Sequence, residues 1–75
     1  MLKVGIVGLG KIAHKFHIPA WLENPHTKIE AICDVKRDAL KETQSKVPSA
    51  RTFEDFDEML NTLDLDIIDI CGPNA

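Results

Sequence analysis

An almost unbroken apolar run, Leu2 to Val7, leads straight into Gly8-Leu9-Gly10-Lys11-Ile12-Ala13, and this junction constrains the fold more than any other stretch. A run that does not alternate apolar with polar suits a central parallel strand covered on both faces. Gly8, Gly10 and Ala13 carry the G-x-G-x-x-[GA] spacing of a strand-to-helix turn that receives a dinucleotide pyrophosphate. Three small residues at fixed offsets recur by chance, so the weight of the motif rests on its surroundings.

Those surroundings read β-α-β-α-β-α-β. Lys11 to about Asn24 is a helical stretch, and Pro19, which lacks an N–H and clashes with the preceding turn, predicts a break or kink near His17-Ile18. Lys28 to Cys33 is a second strand. Lys36 to Val47 is a second helix, stopped by Pro48, with Glu42 and Lys46 at the spacing of a favourable ion pair. Ser49 to Thr52 leaves room for a short third strand. Phe53, Phe56, Met59, Leu60 and Leu63 recur at helical spacing, and acids at 54, 55, 57 and 58 load the first turns. Ile67 to Cys71 is a fourth strand, followed by Gly72-Pro73-Asn74. Phe16, Trp21, Phe53 and Phe56 are expected in the core. Strands alternating with helices imply right-handed crossovers and a parallel sheet.

With 75 residues the chain can hold one small domain. Both charge signs are spread among 44% apolar residues, a globular balance and not a disordered one. No apolar run reaches the roughly 18 residues of a membrane span, and the N-terminus lacks a signal-peptide pattern, so the cytoplasm is the expected compartment. Cys33 and Cys71 form no C-x-x-C and no zinc spacing, and each closes an apolar strand as a small hydrophobe would. The net charge of −3 argues against a nucleic-acid surface. Every Lys and Arg lies at or before Arg51, so Glu54, Asp55, Asp57, Glu58, Asp64, Asp66 and Asp69 have no basic residue after them and read as a solvated acidic face.

Chemistry concentrates at strand ends. Gly8 gives the turn its backbone freedom, and Gly10 lets a pyrophosphate approach the main chain without a Cβ in the way. The N–H groups of Lys11 and Ile12 then stand at a helix start, aimed at a bound anion. Asp34 follows the second strand, 24 residues after Gly10, where an acid about 20 residues on accepts hydrogen bonds from adenosine ribose. A plain helix N-cap is the structural alternative for Asp34. Its charge favours NAD, while Lys36 and Arg37 leave NADP open through a 2′-phosphate contact. Gly72, Pro73 and Asn74 fall at the carboxyl edge of the sheet, where ligands of such folds bind. His14 and His17 stand three apart but have no third ligand in sequence, so no metal site is expected. No nucleophile set can be assembled.

The ordered set Val-Gly-Ile-Val-Gly-Leu-Gly-Lys-Ile-Ala, His-Ile-Pro-Ala, Ala-Ile-Cys-Asp, Phe-Glu-Asp-Phe-Asp-Glu-Met-Leu and Asp-Ile-Ile-Asp-Ile-Cys-Gly-Pro-Asn-Ala resembles the glucose-fructose oxidoreductase/inositol dehydrogenase family, Gfo/Idh/MocA. The resemblance covers essentially the whole chain. It implies pyrophosphate binding at Gly8, Gly10, Lys11 and Ile12, ribose binding at Asp34 with Arg37 nearby, and cofactor contact at Gly72, Pro73 and Asn74. Gly72 stands where the family usually has Thr, so a hydroxyl contact there is lost. The family's Glu-Lys-Pro motif and its catalytic lysine and histidine have no counterpart in these residues, and no catalytic residue is assigned.

The expectation is therefore a partial Rossmann fold, a four-stranded parallel sheet of order 3-2-1-4 with three crossover helices. Residues 1–75 would be the N-terminal part of a dinucleotide-binding domain, with a substrate domain elsewhere in the parent. Its function would be to hold NAD, or NADP, for hydride transfer with a small polyol, sugar or related carbonyl substrate. Two other classes share a glycine turn and a ribose acid: a stand-alone nucleotide-binding or regulatory module, and a domain for S-adenosylmethionine. No nucleic-acid or membrane partner is expected. The apolar fourth strand, with Ile67, Ile68 and Ile70 on an open edge, predicts a homo-oligomer formed by edge pairing or strand exchange.

Overall fold

The computed structural model describes residues 1–71. Strands β1 (Leu2–Val7), β2 (Thr27–Cys33), β3 (Arg51–Phe53) and β4 (Ile67–Ile70) form one parallel sheet in the order β3-β2-β1-β4. That is the expected topology. Its central strand is the apolar run that precedes the glycines.

Each face of the sheet has its own core, and side-chain alternation decides which residue joins which. Val4, Ile6, Ile29 and Ile32 meet Leu9, Ala13, Ile18, Leu40 and Val47 on one face. Ala31, Cys33, Phe53 and Met59 meet on the other. Ile29 and Ile32 lie three apart yet share a face because the β1–β2 register slips between Val4 and Gly5, leaving Glu30 without a partner. This bulge reverses the strand's inside-outside parity. The first two crossovers therefore run over one face and the third over the other.

The irregularity expected near His17-Ile18 is a change of helix type and not a break. Residues Ala13–His17 form a π-helical stretch that passes into α1 (Ile18–Glu23). His17 and Ile18 keep right-handed helical dihedrals of −73°, −49° and −62°, −49°. A widened turn gives the Pro19 ring room beside the carbonyl four residues back, so the helix continues where a tight one would stop.

Helix α2 (Arg37–Lys46) begins one residue later than its sequence pattern, and Lys36 is its N-cap, which removes the N-cap reading of Asp34. Lys46 does not pair with Glu42. Its Nζ donates to His14 Nδ1 at 2.9 Å, and the buried Thr43 hydroxyl donates to the Ala39 carbonyl while accepting from His14 Nε2 at 3.0 Å. His14 thus fastens α2 to the first crossover.

Strand β3 begins at Arg51, and Phe53 belongs to it, so the third helix starts later than the apolar spacing indicates. Helix α3 (Phe56–Thr62) is capped by Asp55, whose side chain accepts from the Asp57 N–H at 2.9 Å. Two expected core aromatics are elsewhere: Phe16 is 59% exposed, with Lys15 Nζ over its ring at 5.4 Å, and Phe56 is 36% exposed. Phe16 lies on the outer side of the π-helical stretch, and Phe56 faces a cleft.

Candidate functional site at the carboxyl edge of the sheet

A cavity of about 780 Å³ opens at the carboxyl ends of β1, β2 and β4. Gly8, Gly10, Lys11 and Ile12 line it from the glycine turn, Asp34 and Lys36 from the loop after β2, Glu54 and Phe56 from the loop after β3, and Ile70 and Cys71 from the end of β4. Of the expected site residues, the structure brings Gly8, Gly10, Lys11, Ile12 and Asp34 to one cleft. Arg37 is not in its wall. Gly72, Pro73 and Asn74 lie outside the described residues.

The turn is built for close approach. Gly8 has φ 88°, a left-handed conformation that a Cβ makes costly. Its N–H continues the sheet, donating to the Cys33 carbonyl at 2.9 Å. A Cβ built on Gly10 meets nothing within 4 Å, so the space over this residue is open to a ligand. The helix's hydrogen bonding opens with His14 N–H to the Gly10 carbonyl at 3.2 Å, leaving the N–H groups of Lys11 and Ile12 ahead of it at the positive end of the helix dipole.

Asp34 has two protein partners. One carboxylate oxygen accepts from the Leu9 N–H and the other from the Lys36 N–H, both at 2.9 Å. An ionised carboxylate has about four acceptor positions, so capacity for ribose hydroxyls remains. Arg37 turns to Glu54 instead, Nε to Oε1 at 2.7 Å, with both side chains largely in solvent.

Two features of the site escaped the sequence reading. Glu54 enters the cleft because β3 lies beside β2 with Cys33 opposite Phe53, so the residues that follow, Asp34 and Glu54, emerge together. Asp69 is not part of the solvated acidic face. Its Oδ2 accepts from Trp21 Nε1 at 2.7 Å and pairs with His17 Nδ1 at 2.8 Å. Burial works to raise this carboxyl, but the hydrogen bonds from Trp21 and His17 and the imidazole's charge hold it below its ordinary value. An acid in the middle of Ile-Ile-Asp-Ile-Cys was the available signal, since a charge within a strand needs a partner.

Cys71 shares the face of Ile67 and Asp69. His17, Asp69 and Cys71 supply three ligand-type atoms within 4.8 Å of one another, while His14 stands apart from them, bonded to Thr43 and Lys46. The hydrogen bond between His17 and Asp69 accounts for two of the three standing together. Burial, followed by the negative charge of Asp69, pushes the Cys71 thiol up to about 11, which keeps it protonated at neutral pH. Cys33 is likewise pushed up, by burial first and then by Asp34 and Asp55. Both cysteines are free.

Residues 2–75 match the GFO_IDH_MocA family, described as an oxidoreductase family with an NAD-binding Rossmann fold. The chain is 27% identical over 73 residues to D-glucoside 3-dehydrogenase of Escherichia coli K12, covering 97% of this chain and 21% of that protein. Scyllo-inositol dehydrogenase of Lactobacillus casei, solved with NAD(H) and scyllo-inositol, superposes with a TM-score of 0.85 at 30% identity, over 97% of this chain and 22% of that one. The WlbA dehydrogenase of Chromobacterium violaceum, solved with NADH and UDP-GlcNAcA, gives 0.88 at 27% identity, over 96% and 21%. The chain thus spans about a fifth of the length of these relatives.

Proposed function

This chain belongs to the Gfo/Idh/MocA oxidoreductase family, and we propose that it is the part of such an enzyme that holds the adenosine and pyrophosphate end of NAD. The observation that carries the reading is the convergence on one cavity of the open Gly10 surface, the Lys11 and Ile12 N–H groups and the Asp34 carboxylate. The pyrophosphate would lie over Gly10 against the helix start, with Lys11 and Ile12 donating, and Asp34 would accept from the adenosine ribose. Gly8 holds the turn in the shape this needs. Gly72, Pro73 and Asn74, which follow β4 in sequence, would contact the cofactor, and Arg37 would stand near the ribose end.

When bound, NAD supplies the hydride-accepting nicotinamide. The residues of this chain bind and orient it. The proton transfer and the substrate contacts would come from the remainder of a longer parent, of which residues 1–75 form the N-terminal part of the cofactor domain. A polyol, sugar or related carbonyl compound is the proposed substrate class, supported by relatives that act on a glucoside or were solved with scyllo-inositol or a UDP-sugar.

No helix among the described residues is long and apolar enough to cross a membrane, and a cytoplasmic enzyme fits the free thiols. Strand β4 is an edge of the described sheet, and Ile70 is 67% exposed there. Self-association through this edge is part of the proposal, and light scattering showing a monodisperse monomer at high concentration would contradict it.

Titration with NADH, NADPH and S-adenosylmethionine tests the reading. Saturable binding of NADH in preference to the other two supports it. Preference for S-adenosylmethionine, or no nicotinamide binding, sinks it.

A further inference from the structure

We infer that Glu54 sets the cofactor preference of this site, by holding Arg37 away from the position a 2′-phosphate would take. The inference rests on the reading of the cavity as a dinucleotide site and names a residue that reading does not use.

The sheet register brings the two acids together. Cys33 pairs with Phe53, and the Asp34 N–H donates to the Phe53 carbonyl at 3.1 Å, so the chain segments carrying Asp34 and Glu54 leave the sheet side by side. Both residues line the cavity. Arg37 opens α2 three residues after Asp34, the place from which a guanidinium would reach a phosphate on the adenosine ribose. Its Nε instead meets Glu54 Oε1 at 2.7 Å, and Arg37 contributes nothing to the cavity wall.

The pair is too exposed to matter for folding, with side chains 80% and 50% accessible. Its effect is on which anion the guanidinium meets. A free ribose hydroxyl has Asp34 as its acceptor, whereas a 2′-phosphate meets that like charge and an arginine that is already engaged. Removing the Glu54 charge frees the guanidinium, while Asp34 stays in place for NADH.

The test compares NADH and NADPH affinities of the intact protein, its Glu54→Gln variant, and the Glu54→Gln/Arg37→Ala double variant. Glutamine keeps the size of Glu54 and lacks its charge. The expected result is NADPH affinity rising about tenfold in Glu54→Gln, the scale of one charge-assisted hydrogen bond. NADH affinity should hold within about twofold, and the second substitution should erase the gain. Unchanged NADPH affinity in Glu54→Gln overturns the inference and leaves the dinucleotide reading intact. So does a gain that survives Arg37→Ala, which would assign it to Lys36 or to charge removal alone. Absence of NADH binding by the unaltered protein overturns both.

Discussion

The Asp34 carboxylate accepts the Leu9 N–H at 2.9 Å, which ties the end of the second strand to the middle residue of the Gly8-Leu9-Gly10 turn. One acid therefore shapes the glycine turn and lines the cavity proposed to take the cofactor. Its two roles separate by substitution. Asp34→Asn keeps an acceptor for Leu9 but loses the charge, so it should fold normally and bind NADH at least about tenfold more weakly. Asp34→Ala also strands the Leu9 N–H and should lose about 1–3 kcal/mol of stability in urea denaturation. Equal NADH affinity in Asp34→Asn and the parent would remove Asp34 from the site.

The two glycines should fail differently. Gly8 has φ 88°, and Gly8→Ala should cost about 1–2 kcal/mol in thermal or chemical unfolding. Gly10 has open space where a Cβ would go. Gly10→Ala should stay within about 0.5 kcal/mol of the parent in stability. It should nonetheless lower NADH affinity by about tenfold or more, because the added methyl occupies the pyrophosphate's approach. A Gly10→Ala protein that binds NADH normally would place the pyrophosphate elsewhere.

Asp69 predicts an acid-side dependence of stability. Its folded value lies below the ordinary 3.8, so its contribution is fully present above that pH and is lost as pH falls through the lowered value. Asp69→Asn keeps acceptors for Trp21 and His17 and should flatten that part of the stability curve below about pH 4. Trp21 is the sole tryptophan and bonds to Asp69, so its fluorescence reports the change directly. Identical acid slopes in the two proteins would contradict the assignment.

The thiols should be slow. A Cys71 value of about 11 leaves about 100-fold less thiolate at neutral pH than an ordinary cysteine has. Alkylation by iodoacetamide in native buffer should be retarded accordingly, and unfolding should restore it. Fast labelling of Cys71 in the folded protein would show that the Asp69 network is open.

What could be read in sequence was local or periodic. The β1 run, the glycine spacing and Asp34 are legible because each lies within a few residues of the structure it makes. The strand order followed from reading the glycine turn and the alternating elements as half of a Rossmann fold. Asp69 was not legible, because its partners stand 48 and 52 residues away and only folding shows which acid of an acidic segment turns inward. Pro19 marked the place of the irregularity but not its form, because the clash it creates has two solutions, a break or a widened turn, and Ala13 and Ile18 pack against the sheet in the second. Glu54 depended on a register between two strands that no single segment encodes.

Amide chemical shifts recorded while NADH is added test the central claim most directly. The account predicts saturable shifts concentrated at Gly8 to Ala13 and at Asp34 to Lys36, with the Thr43 to Val47 amides on the far side of α2 unmoved. Shifts confined to other surfaces, or a spectrum unchanged at saturating NADH, would contradict it.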